Sequence, residues 1–463
     1  MKYINAKLQY KEYITDFLSE YAACDPVRMH MPGHGGELGG FLSAAAPYDI
    51  TEIHQSDNLY DPKGIILKSQ MQCAEIFHSK YSCYSAGGAS QCVKAALYLA
   101  KILYGDCILM DRNSHMSAVN ALALVGANQI WMDAADDESC ISQIKNTLVS
   151  NTVDDTVNNV RVIYVTSPDY YGKMLDIENI SKLAHEYGAI LIVDNAHGSH
   201  LNFTKIVSHP ISMGADIVID SLHKTTPALT GAAILHINTE IEPTLVQRAM
   251  SLFGSSSPSY LILSSIEQSI GIMYNEGHRR LEFLTEQAEE IRRFAKRAGI
   301  LVPHYKHCDN SRLTLEFSSF NITGYRVREM LERKNIYPEM ADKSNVVFIF
   351  TFAHTRDDTE KIISAIDEII KPLKMCENKA GVGKNKAIKI IPVCVMSVRQ
   401  AVFSKQKRVA ISEAKGKIAA SPITPYPPGV PIVMPGEIIP EHLDADFDVD
   451  YNMDLTESVY ICV

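Results

Sequence analysis

Two acidic residues that directly follow short apolar runs, and a lysine four residues after the second acid, have the clearest chemical use in this sequence. Asp194 follows Ala189–Val193, and Asp220 follows Ile217–Ile219, four residues before Lys224. Apolar runs of this length are typical of strands that are buried on both faces of a parallel sheet. Proteins of the α/β class place their chemistry at the carboxyl ends of such strands. The sequence therefore predicts an acid at one strand end and a lysine after another, about thirty residues further along the chain.

An acid and a lysine arranged in this way meet the needs of a pyridoxal 5'-phosphate (PLP) enzyme. The lysine forms a Schiff base with the cofactor aldehyde, and the acid keeps the pyridine nitrogen protonated, so that the ring can act as an electron sink. Simpler interpretations stay open, because Asp194 could only cap a helix and Lys224 could lie on the surface. Asp194, His197 and His200 could also be metal ligands, but no further ligand cluster accompanies them, and we predict no metal site.

The composition restricts the class of protein. A chain of 463 residues exceeds one ordinary core and predicts two or three domains. The net charge of −10 argues against nucleic acid or an anionic membrane as the main partner. Ten cysteines without a C-x-x-C pair favour free thiols in a reducing cytosol, and we expect a cytoplasmic protein. The first residues carry charge where a signal peptide would be apolar, and no apolar run approaches the roughly 18 residues that span a bilayer.

A loop of small residues, Ala86–Ser90, leads into the helical run Cys92–Tyr104. Backbone N–H groups at the start of a helix can hold a phosphate, and Ser90 adds a hydroxyl. The pattern is weak by itself, because glycine pairs usually mark only a turn. It is not a Walker A loop, and the Gly381–Asn385 segment fails that pattern too, so we predict a solvated loop there.

Two further segments allow both a functional and a purely structural interpretation. His115 follows the predicted strand Cys107–Met110, and its ring could stack on a planar cofactor or cap the next helix. The segment Arg28–Gly36 contains two histidines and an arginine, and could be a turn cluster or the wall of a site. The proline-rich segment Thr424–Pro431 predicts an extended loop, either a recognition tail or a cover for the active site.

Alternating strands, loops and helices predict an α/β fold with a mostly parallel sheet and right-handed crossovers. We divide the chain into an N-terminal arm (1–64), a PLP-binding large domain (65–275), a smaller α+β domain with β-α-β-α order (276–373), and a linker with a C-terminal helix and a proline-rich tail (374–463). The linker is Lys374–Lys389, and the predicted helix covers residues 396–419.

In order along the chain, these motifs resemble the PLP-dependent Orn/Lys/Arg decarboxylase family of the aspartate-aminotransferase fold. The motifs are His30–His34, Asp49–Glu52, Asp111–Ser117, Asp194–Gly198, Ser221–Thr225 and Tyr426–Pro431. The resemblance covers nearly the whole chain and is greatest to the short bacterial arginine or lysine decarboxylases that lack an extra N-terminal domain. It implies PLP fold type I, with a large domain built on a mostly parallel sheet and a smaller α+β C-terminal domain.

The resemblance also implies roles for individual residues. Lys224 would carry the Schiff base and Asp194 would pair with the pyridine nitrogen. Ala196 would lie against one face of the cofactor ring and His115 against the other, with His197 beside the cofactor. Ser90 and the N–H groups of Gly88 and Ala89 would bind the phosphate. Ser221 and His223 would assist in binding the phosphate. Two subunits usually complete each site in this fold. We therefore expect a homodimer or a higher homo-oligomer, in which Ser256 and Ser257 reach the neighbour's phosphate.

Two positions depart from the family pattern. The Ala86–Ser90 loop has fewer hydroxyls than the usual Asn-Gly-Ser/Thr-Thr loop, which predicts weaker phosphate binding. Asn195 replaces the glutamate of the usual Asp-Glu-Ala-His motif, which predicts a changed charge near a cationic substrate.

Our first hypothesis is the decarboxylation of a basic L-amino acid in polyamine biosynthesis, with arginine before lysine or ornithine. His223 or Lys224 would return a proton to Cα. The distal cation of the substrate needs a carboxylate, and the candidates are Glu52, Asp57, Glu339 and Glu437.

Two alternatives remain at this stage. An aminotransferase or a β-eliminating lyase would share the cofactor, but no arginine that grips the α-carboxylate can be identified. A non-catalytic homologue would explain the altered phosphate loop, whereas the presence of both Asp194 and Lys224 argues against it.

Overall fold

The structure, a computed structural model, describes residues 9–134, 136–151, 159–205, 207–375, 391–424, 430–441, 443 and 458–463. The Gly381–Asn385 loop, most of the predicted Lys374–Lys389 linker and the centre of the proline-rich Thr424–Pro431 segment lie outside the described residues. The chain divides into two units. The first contains Met1–Ala100 and Ile190–Leu281, and the second contains Lys101–Ala189 and Glu282–Val463.

The regular elements follow the predicted alternation over most of the chain. The strands are β1 (Tyr81–Ser85), β2 (Cys107–Asp111), β3 (Asn128–Met132), β4 (Val162–Thr166), β5 (Ile190–Asp194), β6 (Ile217–Asp220), β7 (Ala233–Ile237), β8 (Arg312–Glu316), β9 (Met340–Ala341), β10 (Asn345–Ile349), β11 (Gln406–Ala410) and β12 (Ser458–Cys462). The helices are α1 (Tyr13–Ala23), α2 (Ile65–Phe77), α3 (Gly88–Tyr104), α4 (Met116–Val125), α5 (Asp137–Asn151), α6 (Ile177–Glu186), α7 (Leu222–Thr225), α8 (Pro243–Phe253), α9 (Tyr260–Ile272), α10 (His278–Ala298), α11 (Gly324–Glu332), α12 (Arg356–Met375), α13 (Val398–Val402) and α14 (Ile411–Ala414).

The first unit contributes four strands to a seven-stranded sheet, in the order β1-β7-β6-β5. β5 and β6 are parallel, whereas β7 is antiparallel to both β6 and β1. Every residue of β5 and β6 is buried, as their unbroken apolar sequences predict. Apolar side chains of α1, α2 and α9 form a core cluster that includes Ile234 of β7. Leu222 of α7, two residues before Lys224, belongs to the same cluster.

The second unit contributes the strands β4-β2-β3, and β2 pairs in parallel with both β4 and β3. The sheet is therefore mostly parallel. A separate three-stranded antiparallel sheet has the order β8-β10-β9, and α11 and α12 accompany it in the chain. The four elements of the predicted β-α-β-α order are observed, with one addition, the two-residue strand β9 between α11 and β10. Near the C-terminus, β11 and β12 form an antiparallel pair beside a small apolar core of their own.

The predicted helix over residues 396–419 is wrong. This segment contains the short helices α13 and α14, and between them β11 pairs with β12 about fifty residues further along the chain. A partner so distant in sequence leaves no trace in the local pattern. β1 was also not predicted, because its polar sequence lacks an apolar run. It forms a strand in the structure because it pairs with β7, which is distant in sequence. Among the described helices, none is long and apolar enough to cross a membrane.

Candidate active site

The candidate site lies where β5 and β6 end in the first unit. Asp194 is the last residue of β5 and pairs in register with Ile219 of β6. Beyond the pairing, the backbone N–H of Asn195 donates to the carbonyl of Ile219 at 2.9 Å. Both strands therefore release their loops at the same edge of the sheet. The loop after β6 passes at once into α7, a single turn that contains Lys224.

Lys224 and His197 meet at this edge. The Lys224 Nζ lies 3.2 Å from the His197 Nε2, and His197 is buried, whereas Lys224 is partly exposed. A nucleophilic amine within hydrogen-bond reach of an imidazole is the arrangement that activates a lysine for covalent chemistry. The partial exposure of Lys224 leaves it accessible to a small molecule. The predicted proximity of an acid-bearing loop and the lysine is thus observed.

Asp194 is 3% exposed, and its Oδ1 accepts a hydrogen bond from the Ala196 N–H at 3.2 Å. A buried carboxylate at a strand end suits a cationic ring nitrogen, because the charge is fixed and weakly solvated. Ala196 is also buried and carries only a methyl group, so its side chain is small enough to lie against a flat ring. These two residues therefore fit the pyridine part of PLP.

The predicted phosphate loop opens α3, a helix of 17 residues that begins at Gly88. Gly88 has a φ of +70°, which favours glycine, and a Cβ on Gly87 would lie 2.6 Å from the Gln91 Oε1. The Ser85 hydroxyl supports the loop from below, since it accepts from the Gly87 N–H at 3.1 Å and lies 2.7 Å from the same Gln91 oxygen. Ser90 is exposed. The predicted phosphate role of the Gly88 N–H is not supported, because this N–H donates to the Gly231 carbonyl at 2.9 Å. Ala89 and the exposed Ser90 are the residues of this turn that fit the phosphate of PLP.

His223 stands next to Lys224 in α7. Its Nδ1 lies 3.3 Å from both the Gly231 N–H nitrogen and the Ala232 carbonyl, and 3.5 Å from the Ser221 hydroxyl. Burial, and after it the charge of Lys224, lowers the pKa of His223. The ring is therefore held through Nδ1, and Nε2 is the candidate atom for proton transfer.

His115 belongs to the second unit, at the start of α4. Its Nδ1 accepts a hydrogen bond from the Ser117 N–H at 3.1 Å, so the capping interpretation is observed. Stacking on a cofactor remains a prediction. In the first unit, two other predicted motifs meet, because the His34 Nε2 lies 3.2 Å from the Asp49 Oδ2.

Contacts in the structure separate the four acids considered for the distal cation of the substrate. Glu437 is fully buried and its carboxylate binds Arg112, so it is not available. Asp57 accepts hydrogen bonds from the backbone N–H groups at the start of α2, and these lower its pKa although burial alone would raise it. Glu339 is exposed and belongs to the second unit. Glu52 remains, and its Oε1 is buried without a hydrogen-bond partner.

A cluster around Asp220 was not predicted. Asp220 is fully buried among Asn195, His209 and His236, and the side-chain amide of Asn195 donates to its Oδ1 at 2.6 Å. Asn195 therefore contacts a buried acid of the core, and a changed charge near a cationic substrate stays a prediction. One signal was present in the sequence, because His236 interrupts the apolar run of β7.

The fold and this site together define the class of protein: an α/β enzyme of PLP fold type I. Among solved structures, lysine decarboxylase A from Pseudomonas aeruginosa has a TM-score of 0.81 at 17% identity, and covers 98% of this chain and 80% of that one. The lysine decarboxylase LdcF of Francisella novicida has a TM-score of 0.77 at 18% identity, with 97% and 80% covered.

The chain belongs to the Orn/Lys/Arg decarboxylase family. The model of the family's major domain matches residues 14–311, and the model of its C-terminal domain matches residues 384–454. The arginine decarboxylase of Bacillus subtilis (strain 168) is 30% identical, with 92% of this chain and 90% of that protein covered. The arginine decarboxylase of Bacillus anthracis is 29% identical, with 93% and 91% covered. The protein is therefore a decarboxylase of the basic amino-acid type, and its family implies PLP.

Proposed function

We propose that this protein is a PLP-dependent decarboxylase of L-arginine that releases agmatine and CO₂, with L-lysine and L-ornithine as the next choices. The observation that supports the reaction is the meeting of Lys224 with His197 beside the buried Asp194. The choice of arginine is supported by the Bacillus relatives of similar length that carry that name. A role in polyamine biosynthesis would follow. The described cysteines are free, which supports a cytoplasmic enzyme.

PLP, when bound, supplies the electron sink that accepts the electrons of the Cα–carboxylate bond. The protein's own residues do the rest. The Asp194 carboxylate stabilises positive charge at the ring nitrogen, and the α3 N-terminus with Ser90 anchors the phosphate. Lys224 would hold the cofactor, and His197 would take or return the proton of the Lys224 Nζ. His223 Nε2 donates a proton to Cα after CO₂ has left.

We assign Glu52 to the distal guanidinium or ammonium of the substrate. Burial raises the pKa of Glu52, and its unpartnered Oε1 would gain a charge-assisted hydrogen bond from a cation. Substitution Glu52→Gln should raise the KM for arginine more than it lowers kcat. A larger loss in kcat than in KM would argue against this assignment.

We also propose a second copy of this chain as the partner that completes each site. Three apolar side chains of the N-terminal arm are at least 90% exposed: Val27, Met29 and Phe41. Large apolar groups so exposed are typical of an interface. Ser256 and Ser257 are exposed too and would reach the neighbour's phosphate. Light scattering should give the mass of a dimer or a larger even assembly, and Phe41→Asp should lower that mass.

The test of the reaction is the release of CO₂ and amine from L-arginine, L-lysine and L-ornithine with added PLP. Wild type should release agmatine, Lys224→Ala should release none, and Lys182→Ala, a change at an exposed lysine, should match wild type. Keto-acid formation with an acceptor present would favour an aminotransferase. Failure to bind PLP would favour a non-catalytic homologue.

A further inference from the structure

Asp220 is a fully buried acid at the end of β6, four residues before Lys224. Its Oδ1 accepts the Asn195 amide at 2.6 Å, and its Oδ2 lies 3.0 Å from the His209 Nε2 and 3.3 Å from the His236 Nε2. All four side chains are at most 1% exposed. A buried carboxylate is costly unless it is hydrogen-bonded, so these contacts must hold it in place.

His209 faces Asp220 as a hydrogen-bond donor, whereas the His236 Nε2 lies 3.3 Å from the carboxylate without making a hydrogen bond. The His209 Nδ1 accepts the Ile211 N–H at 3.3 Å, so the proton of the neutral ring is on Nε2 and points to Asp220. The His236 Nδ1 lies 2.8 Å from the Ser82 hydroxyl. Three side chains of metal-ligand type meet here within 4.8 Å. A ring nitrogen that carries a proton has no lone pair for a metal ion, so this geometry favours hydrogen bonds.

The cluster joins two loops that matter for the site. Asn195 directly follows Asp194 and stands two residues before His197, and Asp220 ends the strand that leads to Lys224. The side-chain bond between Asn195 and Asp220 adds to the backbone bond from Asn195 to Ile219. Errors of about 1 Å in the placement of reacting groups reduce rates strongly. The hydrogen bonds of Asp220 to Asn195 and His209, which we call the lock, therefore affect the distance from Lys224 to His197.

We propose that Asp220 is a positioning residue, whose hydrogen bonds to Asn195 and His209 hold the Asp194–His197 loop and the Lys224 turn in their working register. The carboxylate stays ionised in the core, because the histidines lower the pKa of Asp220 although burial alone would raise it. The use of Lys224 by PLP is taken from the proposed function. The lock itself is a property of the protein without cofactor.

An exchange of the two polar groups tests the lock. Asn195→Asp alone sets two carboxylates against each other at 2.6 Å, and Asp220→Asn alone loses the charge and leaves N–H donors facing each other. The double variant can restore both hydrogen bonds of the lock. The new amide at 220 donates to the new carboxylate at 195, and its oxygen accepts from the His209 Nε2. We expect each single variant to weaken PLP binding on the order of 10- to 100-fold. The double variant should recover most of that loss.

Hydrogen exchange of the cofactor-free protein gives the second readout. Amides of residues 194–198 and 221–226 should exchange faster in each single variant and return towards wild type in the double variant. Asp216→Asn is the matched control, because Asp216 is a buried acid at the opposite end of β6 and its Oδ2 accepts the Leu191 N–H at 2.8 Å. This control should lower the melting temperature without loosening the two loops or weakening PLP binding.

Three results would overturn the lock. The first is a double variant as impaired as the single variants, and the second is an Asp220→Asn variant with a lower melting temperature but unchanged exchange and PLP affinity. The third is a stoichiometric metal ion in the purified protein that is lost in His209→Gln. A wild type that binds no PLP but shows the expected exchange pattern would contradict the proposed function and support the lock, so the two failures are distinguishable.

Discussion

Two buried acids, one in each unit, are stabilised in different ways. Glu437 of the second unit binds the guanidinium of Arg112 through both carboxylate oxygens, and its Oε2 also accepts the Met434 N–H at 2.8 Å. Asp220 of the first unit accepts hydrogen bonds from the Asn195 amide and the His209 imidazole, and the His236 imidazole lies 3.3 Å away. One acid is neutralised by a permanent cation, whereas the other lies among an amide and two imidazoles.

The different partners of Glu437 and Asp220 indicate how each acid stabilises the loop that it contacts. Arg112 lies three residues before His115, so the pair with Glu437 ties the loop after β2 to the C-terminal segment. A closed ion pair of this kind fixes position and offers no free charge to chemistry. Asp220 also fixes a loop, but its charge persists beside the lysine turn. Removal of a partner should therefore have different consequences at the two places.

The largest effect is expected when the ion pair is broken. Glu437→Ala leaves the Arg112 cation buried without its partner, and should lower the free energy of unfolding by about 3–5 kcal/mol. Urea unfolding followed by circular dichroism measures this change. The double variant Glu437→Leu with Arg112→Met should recover much of the loss, because no buried charge remains. A loss below about 1 kcal/mol for Glu437→Ala would remove the contrast between the two acids.

A smaller effect is expected at Asp220. Asp220→Asn should lower the free energy of unfolding by about 1.5–3 kcal/mol, because hydrogen bonds to a charged carboxylate are replaced by hydrogen bonds to a neutral amide. The same urea experiment measures it. A loss larger than that of Glu437→Ala would mean that the histidines carry a charge that needs the carboxylate.

The pH dependence sharpens the comparison further. The pKa of Asp220 is lower in the folded protein than the value of about 3.9 in an unfolded chain. Its contribution to stability is therefore complete above about pH 4 and is lost as the pH falls through the folded pKa. The gap in unfolding free energy between wild type and Asp220→Asn should narrow by about 1 kcal/mol from pH 7 to pH 3. A constant gap would show that the carboxylate is not the group that titrates.

The smallest effect belongs to an exposed ion pair. Lys182 and Glu178 lie one helical turn apart on α6, with side chains more than 60% exposed. Lys182→Ala should change the free energy of unfolding by less than about 0.5 kcal/mol, because solvent screens the pair. A change above 1 kcal/mol would show that exposure is a poor guide to the energy of ion pairs in this protein.

Short sequence patterns were sufficient to predict the buried strands of the large sheet and the start of α3. The apolar runs before Asp194 and Asp220 became buried parallel strands, and the Gly87–Gly88 turn opened α3. β11 was missed because its pairing with β12 crosses about fifty residues.

The candidate site divides in the same way. Asp194, His197 and Lys224 could be predicted because each lies at a strand end or within four residues of one. The Asp220 cluster could not, since His209 and His236 reach Asp220 only through tertiary packing. Glu437 was a candidate for substrate binding until its pairing with Arg112 was seen.

The most direct test of the account is to locate the cofactor on the chain. Protein incubated with PLP and reduced with borohydride should carry the pyridoxyl group on Lys224, as found by mass spectrometry of peptides. Prior incubation with L-arginine should decrease this labelling, and Lys224→Ala should abolish it. A label on another lysine, or labelling of the Lys224→Ala variant equal to wild type, would contradict the assignment of Lys224 and with it the proposed active site.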